Sequence, residues 1–179
     1  MRQILFIAAC SFVLLFSFNA FAVESKIGII DLRKVIEESE AGKNIASQLK
    51  TRQESIQKEA AEFEKKLKAE EQDILAKRKD MKAEEFTEKK KSFEQDFLKS
   101  RQTVMTKSSE LDSSRKQALA ELQKHIAKIS ADVAKEKKLE IIIDRQFVIL
   151  AEEGMDISAD VMAKLNSTVK AIPISSGKK

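Results

Sequence analysis

Cysteine occurs once in this sequence, at Cys10, and histidine once, at His125; tryptophan and tyrosine do not occur at all. A single thiol closes no intrachain disulfide, so stability has to come from helices, a modest core and association between chains. One imidazole with no second His or Cys to join it builds neither a zinc site nor a Cys–His pair. Lying between Leu122 and Ile126 on a helical pattern, His125 reads as a helix-surface residue. No glycine-rich phosphate loop of the Walker type is present, so nothing points to nucleotide-driven work. The reading is therefore of a chain without catalytic residues, metal ligands or a cofactor; its many carboxylates belong to solvated helix faces.

Glycine and proline are nearly as scarce, and residues 43–153 run for 111 positions without either. These two residues break helices, while the Lys, Glu, Gln, Ala and Leu that crowd the stretch form them. A straight helix of that length would extend about 165 Å at ~1.5 Å per residue. It must fold back on itself or be a rod.

Residues 1–22 have the pattern of a cleaved signal peptide: Arg2 in a short positive start, an apolar run from 4 to 18, and Ala20-Phe21-Ala22 as the small-x-small site. A membrane anchor is the competing reading, disfavoured because the run is shorter than the ~20 residues that span a bilayer. The Ile7-Ala8-Ala9-Cys10 stretch mimics a lipoprotein site, but too little apolar chain precedes it. Cleavage would leave a chain of 157 residues starting at Val23, without the thiol, and with five phenylalanines at 63, 86, 93, 97 and 147.

Residues 23–42 read as the first part of a small body. Lys26-Ile27-Gly28-Ile29-Ile30-Asp31 has the texture of a short buried strand, and residues 32–38 that of a brief helix, with 40–42 as the last flexible point before the long helices. Within the arm, residues 43–138, sparse apolar positions form one narrow stripe: Ile56, Ala60, Phe63, Leu67, Ile74 and Met81, then Phe86, Phe93, Phe97, Val104, Leu111 and Ala118. The rhythm breaks between Met81 and Phe86. Basic residues before the break suit a helix C-terminus and Glu84-Glu85 after it suit an N-terminus, which predicts a hairpin tip at 79–84. One continuous helix is the alternative. Pairs such as Glu62 and Lys66, Glu64 and Lys68, or Asp112 and Lys116 support solvated helix faces, at about 0.2–0.5 kcal/mol each.

Residues 139–170 read as the second part of the body. Residues 139–144 and 147–150 are β-branched and predict a hairpin; Ser158 predicts the N-cap of a last helix whose apolar face carries Val161, Leu165 and Val169. Residues 171–179, with Pro173, predict a flexible tail. The two apolar ends of the chain meet most economically in one sheet. The expected fold class is α+β: a long helical hairpin projecting from a small β-sheet body through which several copies associate, with Ile27, Ile29, Ile141, Ile143 and Val148 as the oligomerisation residues.

Taken together, the signal, the Lys-Ile-Gly-Ile-Ile-Asp-Leu strand, Val35, Ser39-x-Ala41-Gly42-Lys43, the charged arm, residues 139–144 and Asp156-Ile157-Ser158-Ala159-Asp160-Val161 resemble the Skp/OmpH family of periplasmic chaperones. Ser158 stands where the family pattern has Thr, and the Pro-containing tail is not part of that pattern. The resemblance implies a homotrimer with a common β-body and three helical tentacles around a cavity. It implies, further, an ATP-independent holdase that shelters unfolded outer-membrane proteins in the periplasm of a Gram-negative bacterium.

Charge fits such a role. Residues 43–138 hold 24 basic and 18 acidic side chains, net +6. A basic wall would attract acidic unfolded chains and, as a second class of partner, anionic lipid or lipopolysaccharide. Candidate client-binding residues are Lys77, Arg78, Lys79, Lys82, Lys89, Lys90 and Lys91 for charge, and Phe86, Phe93 and Phe97 for apolar contact; the bland role of these three rings is to hold the hairpin together. Two other classes compete. A structural coiled-coil spacer of the envelope would use the same arm. A nucleic-acid binder would explain the pI of about 9.0, but the signal peptide and the lack of clustered aromatic and basic stacking surface oppose it, so no nucleic-acid partner is expected.

Overall fold

Three isoleucines around one glycine make a short apolar strand, β1 (Ile27–Ile30), in the computed structural model, which describes residues 26–175. The expected signal peptide lies outside the described residues. Asp31 ends the strand and caps the next element: its carboxylate accepts from Lys34 N at 2.8 Å and α1 runs Leu32–Glu38. Ser39 then breaks the helix with an extended backbone, and its buried hydroxyl accepts from Gly42 N at 3.1 Å to start α2, Glu40–Lys77.

The flexible point expected at 40–42 is thus the capped first turn of α2. Gly42 is buried, and a Cβ on it would stand 1.6 Å from the Ile36 carbonyl oxygen. Close approach of α1 demands the glycine there, not mobility.

The long helix does fold back. Arg78 N donates to Leu75 O at 3.4 Å and Asp80 N to Lys77 O at 3.0 Å, and α3 begins only at Ala83 and continues to Lys137. The turn therefore occupies 78–82, where the rhythm break placed it at 79–84. Lys77 in the last turn of α2 and Glu84 and Glu85 in the first turn of α3 complement the two helix dipoles. Among the described residues no helix is long and apolar enough to cross a membrane.

At its far end α3 stops on Lys138 in the left-handed region (φ 55°), with Leu139 N donating to Ala134 O at 2.8 Å. Strand β2 (Ile141–Asp144) follows and pairs in parallel with β1, in the register Ile27 to Ile141 through Ile30 to Asp144. The whole hairpin arm is the crossover between them.

Residues 147–150 are not a strand, which corrects the expected β-hairpin. Asp144 accepts from Gln146 N at 3.1 Å and a 3₁₀ turn, Arg145–Phe147, carries the chain away from the sheet. A tight hairpin needs left-handed turn residues, and Arg145-Gln146 offers neither Gly nor Asn. A second 3₁₀ turn, Glu153–Met155, leads to a bridge between Asp156 and Ile29, with Ile157 N donating to Ile29 O at 2.8 Å.

Helix α4 (Ser158–Thr168) starts without the expected Ser158 cap. Instead Asp156 Oδ1 accepts from Ser158 N at 2.8 Å, and the buried Ser158 hydroxyl accepts from Asp31 N, also at 2.8 Å, 127 residues away. The serine hydroxyl thus ties the start of α4 to the end of β1 rather than capping its own helix.

The start of the tail, residues 171–175, departs from the expected flexibility; residues 176–179 lie outside the described residues. Ile172 and Ile174 are buried in the core, and the segment up to Ser175 is packed along the hairpin. That core unites Val35, Ile45, Leu122, Ile126, Val133, Val161 and Leu165, so it sits at the root of the arm, where α1, α4 and the tail cover α2 and α3.

Candidate functional site

Beyond the root the hairpin has only two helices, and two helices bury little. Ile56 and Ile74 are the buried apolar residues of α2 past Ile45, whereas every apolar residue of α3 before Ala118 stays half-buried or exposed. The stripe holds the helices together as a thin seam. Ion pairs across it add register: Lys66 Nζ stands 3.1 Å from Asp96 Oδ2, and Lys107 pairs with Glu59. The Asp96 hydrogen bond and charge raise the Lys66 pKa. Within helices, Asp112 and Lys116 pair at 2.8 Å as expected, and the Lys116 hydrogen bond and charge lower the Asp112 carboxyl.

Half-way along the arm the seam opens into a groove of about 620 Å³. Phe63 and Leu67 from α2 and Phe93, Phe97, Val104 and Met105 from α3 form its apolar surface; Glu64, Lys68, Glu71 and Arg101 stand at its border. Phe97 is 45% exposed, and Met105 and the nearby Leu98 are 59% and 64% exposed. Such exposure on a charged helix leaves apolar area available to another chain.

The predicted phenylalanine set is divided by the structure. Phe93 and Phe97 meet in the groove with Phe63. Phe86 does not; it lies at the tip beneath Arg78, whose guanidinium carbon is 5.4 Å from the ring centroid.

The basic candidates gather at and after the turn. Lys77, Arg78, Lys79, Lys82, Lys90 and Lys91 are exposed and Lys89 is half-buried. Lys77 is engaged by Asp73 one turn back, whose carboxyl is lowered by that hydrogen bond. Lys90 lies 3.8 Å from Glu94.

At the body, Ile141 is 49% exposed, Ile143, Ile27 and Val148 are half-buried, and Ile29 is buried inside the chain at 2%. Ile29 therefore belongs to the chain's own core. Phe147, Ile149 and Leu150, which follow β2 in sequence, are 77%, 104% and 90% exposed.

A two-stranded parallel sheet whose crossover is a helical hairpin, with its core at the hairpin root, is a specific arrangement. A family model described as outer membrane protein (OmpH-like) matches residues 26–165. The chain belongs to the OmpH-like family. The same fold is seen in the crystal structure of a proposed outer membrane chaperone (OmpH-like) from Caulobacter crescentus CB15, with a TM-score of 0.82 and 19% identity over 87% of this chain and 92% of that one. No curated protein gives a significant match.

The OmpH-like match stops before the tail. Reading the sequence missed Leu98 and Met105, which lie off the stripe, and the docking of Ile172 and Ile174. The alternation Ile172-Pro173-Ile174 was the available signal for the latter: apolar residues two apart are how an extended segment buries one side. Among the described residues no group of three or more His, Cys, Asp or Glu is placed to hold a metal ion.

Proposed function

We propose that this chain is an ATP-independent holdase of the periplasm, a homotrimer whose three arms enclose unfolded outer-membrane β-barrel proteins and prevent their aggregation. The groove on a solvated arm carries the reading: Phe93, Phe97 and Met105 present apolar surface that the hairpin itself does not cover. A spacer would gain nothing from that exposure. Weak apolar contacts suit a client with no fixed shape, and a net +6 arm supplies long-range attraction for acidic segments. Anionic lipid and lipopolysaccharide belong to the same electrostatic class of partner. The free edge of β2, with Ile141, Ile143, Val148 and the neighbouring Phe147, is the surface assigned to trimer formation. The family and the structural neighbour support the chaperone class; neither supplies a reaction, and no enzymatic role is proposed.

The test is light scattering of a urea-unfolded outer-membrane barrel diluted into buffer with and without the purified chain. Stoichiometric suppression of aggregation without nucleotide is expected. Scattering that rises as fast with the chain as without it would leave the envelope spacer as the better reading.

A further inference from the structure

The tail beyond the family match occupies a site built like a peptide-binding groove. Residues 171–175 run alongside the hairpin root with Ile172 and Ile174 buried at 5% and 4% while Ala171, Pro173 and Ser175 face out. Their backbone is read on both sides. From α2, Gln48 donates through Nε2 to Ile172 O at 3.0 Å and accepts from Ile174 N at 3.2 Å through Oε1. This is the pair of bonds a neighbouring β-strand would make, supplied by one side-chain amide. Asn44 Oδ1 accepts a further bond from Gln48 Nε2 at 2.6 Å and fixes which way the amide points. One turn on, Arg52 donates to Ile174 O at 2.7 Å and to Ser175 O at 2.9 Å. From α3, the buried Ser114 hydroxyl donates to Ser175 O at 2.8 Å.

We propose that this groove is a binding site for extended segments with apolar residues at alternate positions, that the chain's tail is its resident ligand, and that strands of an unfolded β-barrel displace the tail. The recognition is by backbone and by spacing, not by side-chain identity, except that two apolar pockets lie two residues apart. Transmembrane strands of β-barrels have this period, one side chain in two being apolar. A tethered ligand competes at an effective concentration on the order of millimolar, so a short free peptide is excluded while a long unfolded chain, which offers many strands, gains entry. The tail would then set a threshold that favours extended, multi-strand clients.

The identity of the displacing partner rests on the holdase reading; the existence of the site does not. The test uses the full chain with Ile172→Asp and Ile174→Asp, which disables the tail without removing it, and fluorescence anisotropy of three dye-labelled peptides. These are residues 170–176 of this chain, a strand alternating Val with Thr, and a peptide of that same composition with the Val residues adjacent. The first two are expected to bind the tail-disabled chain at least about tenfold more tightly than the wild type, because the tethered competitor is gone. The third is expected to bind no better to either. Adding Gln48→Ala to the tail-disabled chain should weaken the first two several-fold.

Equal binding to wild-type and tail-disabled chains, or equal binding of the adjacent-Val peptide, overturns the proposal. If the double variant does not fold by circular dichroism, Ile174→Ser in the full chain replaces it, with the same expectations. Suppression of barrel aggregation is measured alongside. Suppression without peptide binding overturns the groove and leaves the holdase reading standing; peptide binding without suppression supports the groove and removes the holdase reading.

Discussion

At the scale of single residues, the joints of this fold are made by small side chains in crowded places. Gly42 leaves room for the Ile36 carbonyl oxygen, which a Cβ would meet at 1.6 Å, and the obstacle is backbone, which has little freedom to move. Gly42→Ala should therefore destabilise by at least the upper part of the ~1–3 kcal/mol range of overpacking, despite alanine's better helix propensity. Urea unfolding followed by circular dichroism measures it; an unchanged midpoint would mean that α1 and α2 part readily. A second joint titrates. The Ser158 side-chain hydrogen bond, then its backbone N–H and the charges of Arg145 and Lys34, hold the Asp156 carboxyl below its ordinary value against the opposing effect of burial. A carboxyl with a depressed folded pKa contributes stability that is fully present above its unfolded value, ~3.9, and is lost as pH falls through the folded one. The melting temperature of the wild type should accordingly fall more between pH 5 and pH 3 than that of Asp156→Asn. Parallel curves would show that this carboxylate carries no such linkage.

At the scale of elements, the two ends of the arm obey different physics. The root is a core, covered by α1, α4 and the tail; the middle is a seam of two helices, where Phe93 and Phe97 are not fully covered by any of the described residues. Phe97→Ala should hence cost about 1 kcal/mol or less in urea stability, far below the ~3–5 kcal/mol of a buried phenylalanine, and yet raise the amount of chain needed to suppress barrel aggregation. A large loss of stability with unchanged suppression would make the ring a hairpin residue only. The sheet edge poses the complementary case. Ile141 is 49% exposed, so Ile141→Asp leaves the single chain folded, while in a shared body it would bury an unpaired charge. Sedimentation of the variant at the mass of one chain, and of the wild type at three, is the expected pair of results. These contrasts also mark what the sequence could reveal. The spacing of Phe86, Phe93 and Phe97 and the break after Met81 disclosed a hairpin, because a local period reports a local element. The partner of β2 depends on which distant segment arrives, and Phe147-Val148-Ile149-Leu150 looks like a strand whether or not a neighbour is there to bond it. Ser158 misled for the same reason: its sequence suits a cap, but Asp31, 127 residues earlier, claims its hydroxyl. The tail's composition resembles a mobile end, and only the preformed root explains its order.

At the scale of the whole molecule, charge and cover are distributed along one axis. The root buries its apolar residues and brings β1, β2, α4 and residues 171–175 together; among the described residues the tip has no core and is rich in Lys and Arg. Neutralising Lys77, Arg78, Lys79 and Lys82 together should weaken capture of an unfolded barrel while leaving assembly intact, since all four are exposed and distant in sequence from the sheet edge. Two of the four have local attachments, Lys77 to Asp73 and Arg78 over Phe86, both solvent-screened and weak at such exposure, so loss of fold is not the expected outcome. The electrostatic share of capture is separated from the apolar share by salt. Screening shortens from about 10 Å at 0.1 M to about 3 Å at 1 M, so the difference between wild type and the four-site variant should be large at low salt and vanish at high salt. The effect of Phe97→Ala, being apolar, should persist at both. If the four-site variant suppresses aggregation as well as the wild type at low salt, the basic tip does not steer clients. Capture would then rest on the groove and the apolar surface alone.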